Sequence, residues 1–241
     1  MKRATMFLLG AAMVAMPAVA SAQANACRIP SAIERPRADL PSASQPVRRL
    51  PIGSYTLAIS WSPEYCRSRS SDRGGRSDLQ CGGGNDFGFV LHGLWPDGTA
   101  KQWPQYCQAT PILPTALIRQ HLCATPSPQL MQHEWAKHGT CMAGTSPQAY
   151  FARSTAMFER LRFPDMDALS RRPLTVGTFA RQFAAVNRLP AGSVRVTTKK
   201  AGWLDELWLC TDKRFRYVAC DAEQGGGAPA GQRLRIWRGY R

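Results

Sequence analysis

Within six consecutive residues, His133 to His138, the chain sets two imidazoles, the Glu134 carboxylate and the Lys137 ammonium. On an α-helix each residue turns about 100°, so from His133 at zero Lys137 stands at about 40°, Glu134 at about 100° and His138 at about 140°. The four groups share a face, and Trp135, at about 200°, can anchor that helix to a core. A merely solvated face would use Lys and Glu four residues apart, because His adds little charge at neutral pH. A shared zinc ion does not fit, since a metalloprotease helix carries its two histidines four apart with the Glu as base. Here they are five apart and diverge by about 140°, so no metal and no other cofactor is expected.

A second group lies about 40 residues upstream, a spacing typical of separate elements rather than one helix. Phe87, Phe89 and Leu91 alternate with Gly88 and Val90 until Pro96 and Gly98 interrupt the run. This predicts a buried strand that delivers His92 at its end. Two histidines on different elements can move protons in opposite directions, one neutral and accepting, the other charged and donating, because imidazole titrates near neutrality.

The strand residues His92-Gly93-Leu94-Trp95-Pro96 and the helix residues His133-Glu134-Trp135-Ala136-Lys137-His138-Gly139-Thr140-Cys141 resemble the two active-site segments of the ribonuclease T2 family. Tyr55 to Pro63, followed by Cys66, resembles that family's first core strand. The resemblance spans Tyr55 to Cys220, with the segments in the right order. It implies an α+β fold, a central antiparallel sheet flanked by helices in one disulfide-stabilised domain. It also implies an endoribonuclease in which RNA is cleaved by its own 2′-hydroxyl, through a 2′,3′-cyclic phosphate to a 3′-phosphate end, without a metal. By position, His138 would be the general base and His92 the general acid. His133 and Lys137 would hold the phosphate and meet charge growing on its oxygens. Glu134 would orient a catalytic group, or face the phosphorane only when protonated. Trp95, Asp97 and Trp103 form a candidate first base site, through stacking and an acceptor for a base edge. Leu130 stands where family members commonly carry an aromatic, on the catalytic face of the helix, which implies a weak second base site and low base specificity.

Eight cysteines in an exported chain predict an oxidising compartment, although 105 complete pairings are open to the sequence. The resemblance implies Cys107 with Cys141. Cys66 with Cys81 and Cys210 with Cys220 are the local choices, which leaves Cys27 with Cys123.

Composition points to the same kind of substrate. Lys and Arg number 31 against 16 Asp and Glu, a net charge of +15, which suits a polyanionic partner. Arg predominates and can grip phosphate oxygens in a bidentate way. Lys2 and Arg3, the apolar run Met6 to Ala20 and the small residues Ala20-Ser21-Ala22 predict an export signal over residues 1–22. The mature protein is thus expected in the periplasm or outside the cell, as a monomer acting on RNA and free of the membrane. Residues 23–50, rich in Pro and small residues, read as an irregular arm, and Arg67 to Gly84 as a surface loop. Residues 51–241 then form the catalytic domain, with about 190 residues for one core. Helices are predicted from Ser146-Pro147 toward Pro164 and over Thr178 to Asn187. Strands are predicted at Val194 to Thr198, Leu204 to Cys210, Arg214 to Ala219 and Leu234 to Trp237. The competing readings are an RNA-binding scaffold that does not depend on cleavage and a metal-dependent secreted hydrolase.

Overall fold

Ile52–Trp61 alternates Leu57 and Ile59 with Thr56, Ala58 and Ser60, a period-two pattern that gives one strand two different faces. In the computed structural model, which describes residues 24–67, 79–82 and 84–239, this segment is the strand around which the sheet is built. The expected export signal and most of the expected loop Arg67 to Gly84 lie outside the described residues.

In chain order the elements are β1 (Ala24–Ala26), β2 (Ile52–Trp61), α1 (Ser62–Arg67), β3 (Asp86–Phe87) and β4 (Phe89–Gly98). There follow α2 (Thr115–His121), α3 (Pro128–Lys137), α4 (Pro147–Glu159), α5 (Met166–Ser170), α6 (Val176–Val186), β5 (Val194–Thr198) and β6 (Leu204–Thr211). The main sheet has the order β4-β2-β6-β5, and all three of its pairings are antiparallel. β1 and β3 form a small separate antiparallel pair. This is an α+β fold.

Cross-strand partners share a face. Leu57 lies between Leu94 and Leu209, and Ile59 between Leu91 and Leu207. All six are buried, in one core with Ile118, Tyr150, Phe158, Phe179 and Phe183 from the helices. The opposite face carries Thr56 beside Trp95, Ala58 between Gly93 and Trp208, and Ser60 beside Glu206. One side of the sheet therefore makes the core and the other is free to make a site.

β4 is an edge strand, and its outer edge is closed by helix-side groups. Leu91 donates its N–H to Ala124 O (2.8 Å), and Thr125 Oγ1 donates to Leu91 O. The Tyr150 hydroxyl serves both the N–H and the C=O of Leu94. Unpaired edge groups would otherwise template association with another strand. The same bonds hold the segment before α3, and hence α3 itself, against β4.

Five expectations are corrected. The strand carrying His92 does not stop there but continues through Pro96 and Asp97 to Gly98. Proline is tolerated because an edge strand needs ladder bonds on one side only. The motif helix ends at Lys137, with His138 as its C-cap, and Gly139–Cys141 forms a 3-10 turn. Arg214 to Ala219 and Leu234 to Trp237 do not form strands. They make only the isolated bridges Thr211–Tyr217 and Trp203–Arg235, because both segments lie beyond the strands that would supply a full ladder. The second predicted helix starts at Val176, where the Thr175 side chain caps the Thr178 N–H. By contrast α4 starts as read, with Ser146 capping and Pro147 in the first turn.

The disulfides are Cys27–Cys123, Cys66–Cys81, Cys107–Cys141 and Cys210–Cys220. The first closes a sequence separation of 96 residues and fastens the start of the arm beside α2. A bridge of this kind typically stabilises by about 2–4 kcal/mol.

Candidate active site

His92 is the extra residue of a β-bulge. On β2, Ala58 and Ile59 are consecutive, yet their partners on β4 are Gly93 and Leu91. A bulge re-aims side chains, and here it turns His92 toward Ser60 and Glu206 on the face opposite the core. Glu206 Oε1 lies 2.5 Å from His92 Nδ1 and accepts a 2.7 Å bond from Ser60 Oγ. Its other oxygen accepts from Trp208 Nε1 at 2.8 Å. The second His92 nitrogen, Nε2, is 3.4 Å from Glu134 Oε1.

α3 brings the remaining groups. Ser127 caps its first turn and Pro128 follows, an ordinary helix start. Its last carbonyls are served by Thr140 Oγ1 on Ala136 O and by the Tyr106 N–H on Lys137 O, and the Cys107–Cys141 bridge ties the same place. Glu134 is 1% exposed and accepts a 2.7 Å bond from Trp95 Nε1. A Cβ on Gly93 would stand 1.8 Å from Glu134 Oε2, so only glycine lets helix and strand approach this closely. Gly139 plays a similar part beneath His138, where a Cβ would meet the Trp135 ring at 2.2 Å. Trp135 itself turns away from the site, as read, and donates to Thr110 Oγ1.

His138 stacks on Trp95, centroids 5.6 Å apart and planes at 28°. His92 meets the same indole edge-on at 5.1 Å, and Trp208 at 5.5 Å. His133 lies 6.4 Å from His138 and pairs through Nδ1 with Asp39 Oδ2 at 2.8 Å. Lys137 and His138 line a cleft of about 420 Å³ together with Trp95, Asp97, Trp103, Arg195 and Trp208. Asp97 lies in β4 rather than in a turn, and its Oδ2 accepts from Thr56 Oγ1 at 2.8 Å. Trp103 is 44% exposed at this cleft, with the Arg48 guanidinium 4.7 Å from its ring centre. Leu130 is half-buried on α3, one turn before His133. His121 takes no part and bonds Thr155 Oγ1 from α2.

The two histidines nearest Trp95 are driven to opposite charge states. Burial alone would lower the pKa of His92, but hydrogen bonds to Glu134 and Glu206 and their charges raise it to about 10. Burial lowers that of His138 to about 3; Glu134 opposes this, while Lys137, His133 and His92 add to it. His138 Nδ1 has no hydrogen-bond partner among the described residues, so no acceptor holds a proton on that nitrogen. Burial would raise the Glu134 carboxyl, yet the His92 bond and the charges of His138, His92 and His133 hold it below the usual range. Burial lowers Lys137, partly offset by Glu134 and Asp39. Among the described residues, no cluster of three or more His, Cys, Asp or Glu is arranged to hold a metal ion.

The sequence model of the ribonuclease T2 family matches residues 52–220. The chain belongs to the ribonuclease T2 family. Its relatives include a protein of Haemophilus influenzae described as a probable ribonuclease, 33% identical over 184 residues, which are 73% of this chain and 63% of that protein. The chain thus spans under two thirds of that relative's length. A ribonuclease of Aeromonas hydrophila is 35% identical over 66% of this chain and 71% of its own. The T2 fold is shared with an RNase-related protein from Calystegia sepium, with TM-score 0.59, 20% identity, and 76% and 96% of the two chains covered. RNase NT, solved in complex with 5′-AMP, superposes with TM-score 0.58 at 20% identity over 77% of this chain and 98% of its own.

Several site-building residues were not singled out in the sequence. Glu206 had a signal, as one of two adjacent carboxylates, Asp205 and Glu206, in the otherwise apolar run Leu204 to Leu209. Trp208 and Arg195, at the cleft, had none beyond residue type. Asp39 lies in the arm, 94 positions before its partner His133.

Proposed function

We propose that the protein is an exported, monomeric endoribonuclease that cleaves single-stranded RNA by 2′-hydroxyl attack and needs no metal. In this reading His138, held neutral, takes the 2′ proton. The 2′ oxygen then attacks phosphorus, and His92, held charged, gives its Nε2 proton to the departing 5′ oxygen, leaving a 2′,3′-cyclic phosphate. Water later opens the ring to a 3′-phosphate, with the two histidines in exchanged roles. The Nε2 bond to Glu134, at 3.4 Å, is long for an N–H···O bond, so a departing oxygen can displace the carboxylate from that proton. His133 and Lys137 meet the charge that grows on the non-bridging oxygens. Glu134, ionised and bonded to Trp95, orients the acid and the indole; this favours the first of the two roles expected for it.

The observation that carries this reading is that two imidazoles meet one indole in opposite surroundings, His92 between two carboxylates and His138 buried with its Nδ1 unpaired among the described residues. Groups pushed apart in this way are the mark of an acid and base pair. Each transfer contributes roughly 100- to 10,000-fold. For the base, Trp103 and Asp97 offer a stacking face and an acceptor in the cleft, while the Trp95 face toward His138 is already occupied. Leu130 offers a second base no aromatic surface, which supports low base specificity. Four disulfides suit a periplasmic or extracellular setting.

The test is brief digestion of RNA and of single-stranded DNA with excess chelator, followed by analysis of the ends. Cyclic-phosphate ends from RNA alone are expected, at similar rates for all dinucleotide steps. Cleavage of DNA, or loss of activity on chelation, would overturn the reading.

A further inference from the structure

We propose that Asp39, from the arm that precedes the family match, is a positioning residue for His133 in the reaction proposed above, on which this inference rests. Its Oδ2 is 2.8 Å from His133 Nδ1 and accepts a second bond, 3.0 Å, from the Tyr106 hydroxyl. A carboxylate on Nδ1–H fixes the imidazole in one tautomer and one orientation, and leaves Nε2 as the nitrogen that faces a ligand. The same device acts at His92, where Glu206 holds Nδ1. The site thus contains two imidazoles held at Nδ1 by a carboxylate, one carboxylate from β6 and one from a segment outside residues 52–220.

Asp39 is not needed to fasten the arm. Two residues earlier, the Arg37 N–H donates to Gln129 Oε1 at 2.9 Å, and Gln129 Nε2 returns a bond to Arg37 O. Farther on, Arg48 and Gln105 exchange backbone bonds, and Gln105 Nε2 donates to Pro46 O at 2.7 Å. Tyr106 is buried, and burial together with Asp39 raises its phenol, which keeps it a donor. The groups facing the pair are Glu134, Lys137 and His138 from α3 and its cap and Tyr106 from the facing segment.

The test compares Asp39→Asn, Asp39→Ala and Gln129→Ala in the full protein. Asp39→Asn keeps shape and removes charge; kcat on a dinucleotide should fall about 10- to 100-fold, the worth of a charge-assisted bond. KM should change much less, because the charge that His133 meets is largest in the transition state. Nitrogen NMR of the His133 ring should find the proton of the neutral form on Nδ1, and lose that preference in Asp39→Ala. Gln129→Ala loosens the arm without touching His133 and should leave kcat unchanged. Unaltered kcat in Asp39→Asn, or an equal loss in Gln129→Ala, would overturn the role while the ribonuclease reading stands. Absence of cyclic-phosphate ends from the unaltered protein would instead remove that reading, and this role with it.

Discussion

His92 and His138 illustrate how environment assigns roles to identical side chains. One imidazole has a carboxylate at each nitrogen and titrates near 10; the other is buried with an unpaired Nδ1 and titrates near 3. A donor must be charged and an acceptor neutral, so kcat/KM should fall as pH drops through the His138 value and as it rises through the His92 value. Glu206→Gln removes one of the two anions that hold the His92 proton. The alkaline limb should then move down by about 1–2 pH units, from the worth of a charge-assisted bond, while the acid limb stays. A pH–rate profile checks this, and an unmoved alkaline limb would count against His92 as the acid.

At the scale of elements, the distance between α3 and β4 is set by a missing side chain. Gly93→Ala would drive a methyl into Glu134, whose carboxylate is pinned by Trp95 and His92. Overpacking of this kind costs about 1–3 kcal/mol. The displaced Trp95 and His92 should lower kcat by about 100-fold, since small misplacements near reacting groups have effects of that size. Thermal unfolding and single-turnover rates separate the two effects. The helix spacing of His133, Glu134 and Lys137 was legible because a helix is a local object with a fixed period. The bulge at His92 was not, because it exists only in the register between β2 and β4. Glu206 and Asp39 were equally hidden, since they meet their histidines across 114 and 94 residues. Alternation in Arg214 to Ala219 misled for a related reason: pattern shows which side chains can be buried, not whether a neighbouring strand is there to pair.

For the whole molecule the charge of +15 should act through salt. Each phosphate neutralised releases counterions, so raising salt from about 50 to about 200 mM should raise KM for long RNA roughly twentyfold if ~3 phosphates are engaged. A dinucleotide, which spans the catalytic phosphate alone, should respond much less. Steady-state kinetics on both substrates check this, and equal responses would show that the basic surface does not guide RNA to the cleft.

Two of the four cross-links overlap along the chain: Cys107 lies between Cys27 and Cys123, while Cys123 lies between Cys107 and Cys141. Oxidation of the thiols nearest in sequence would create Cys66–Cys81 and Cys210–Cys220 correctly, but would trap Cys107 with Cys123. Escape from that trap requires exchange through a mixed disulfide, which takes seconds to hours without help. Reduced, denatured protein should therefore regain activity markedly faster with a disulfide isomerase than in air alone, and mass spectrometry of early species should catch the Cys107–Cys123 isomer. Such a result would mean that oxidative folding of this chain draws on a reshuffling catalyst as well as an oxidant.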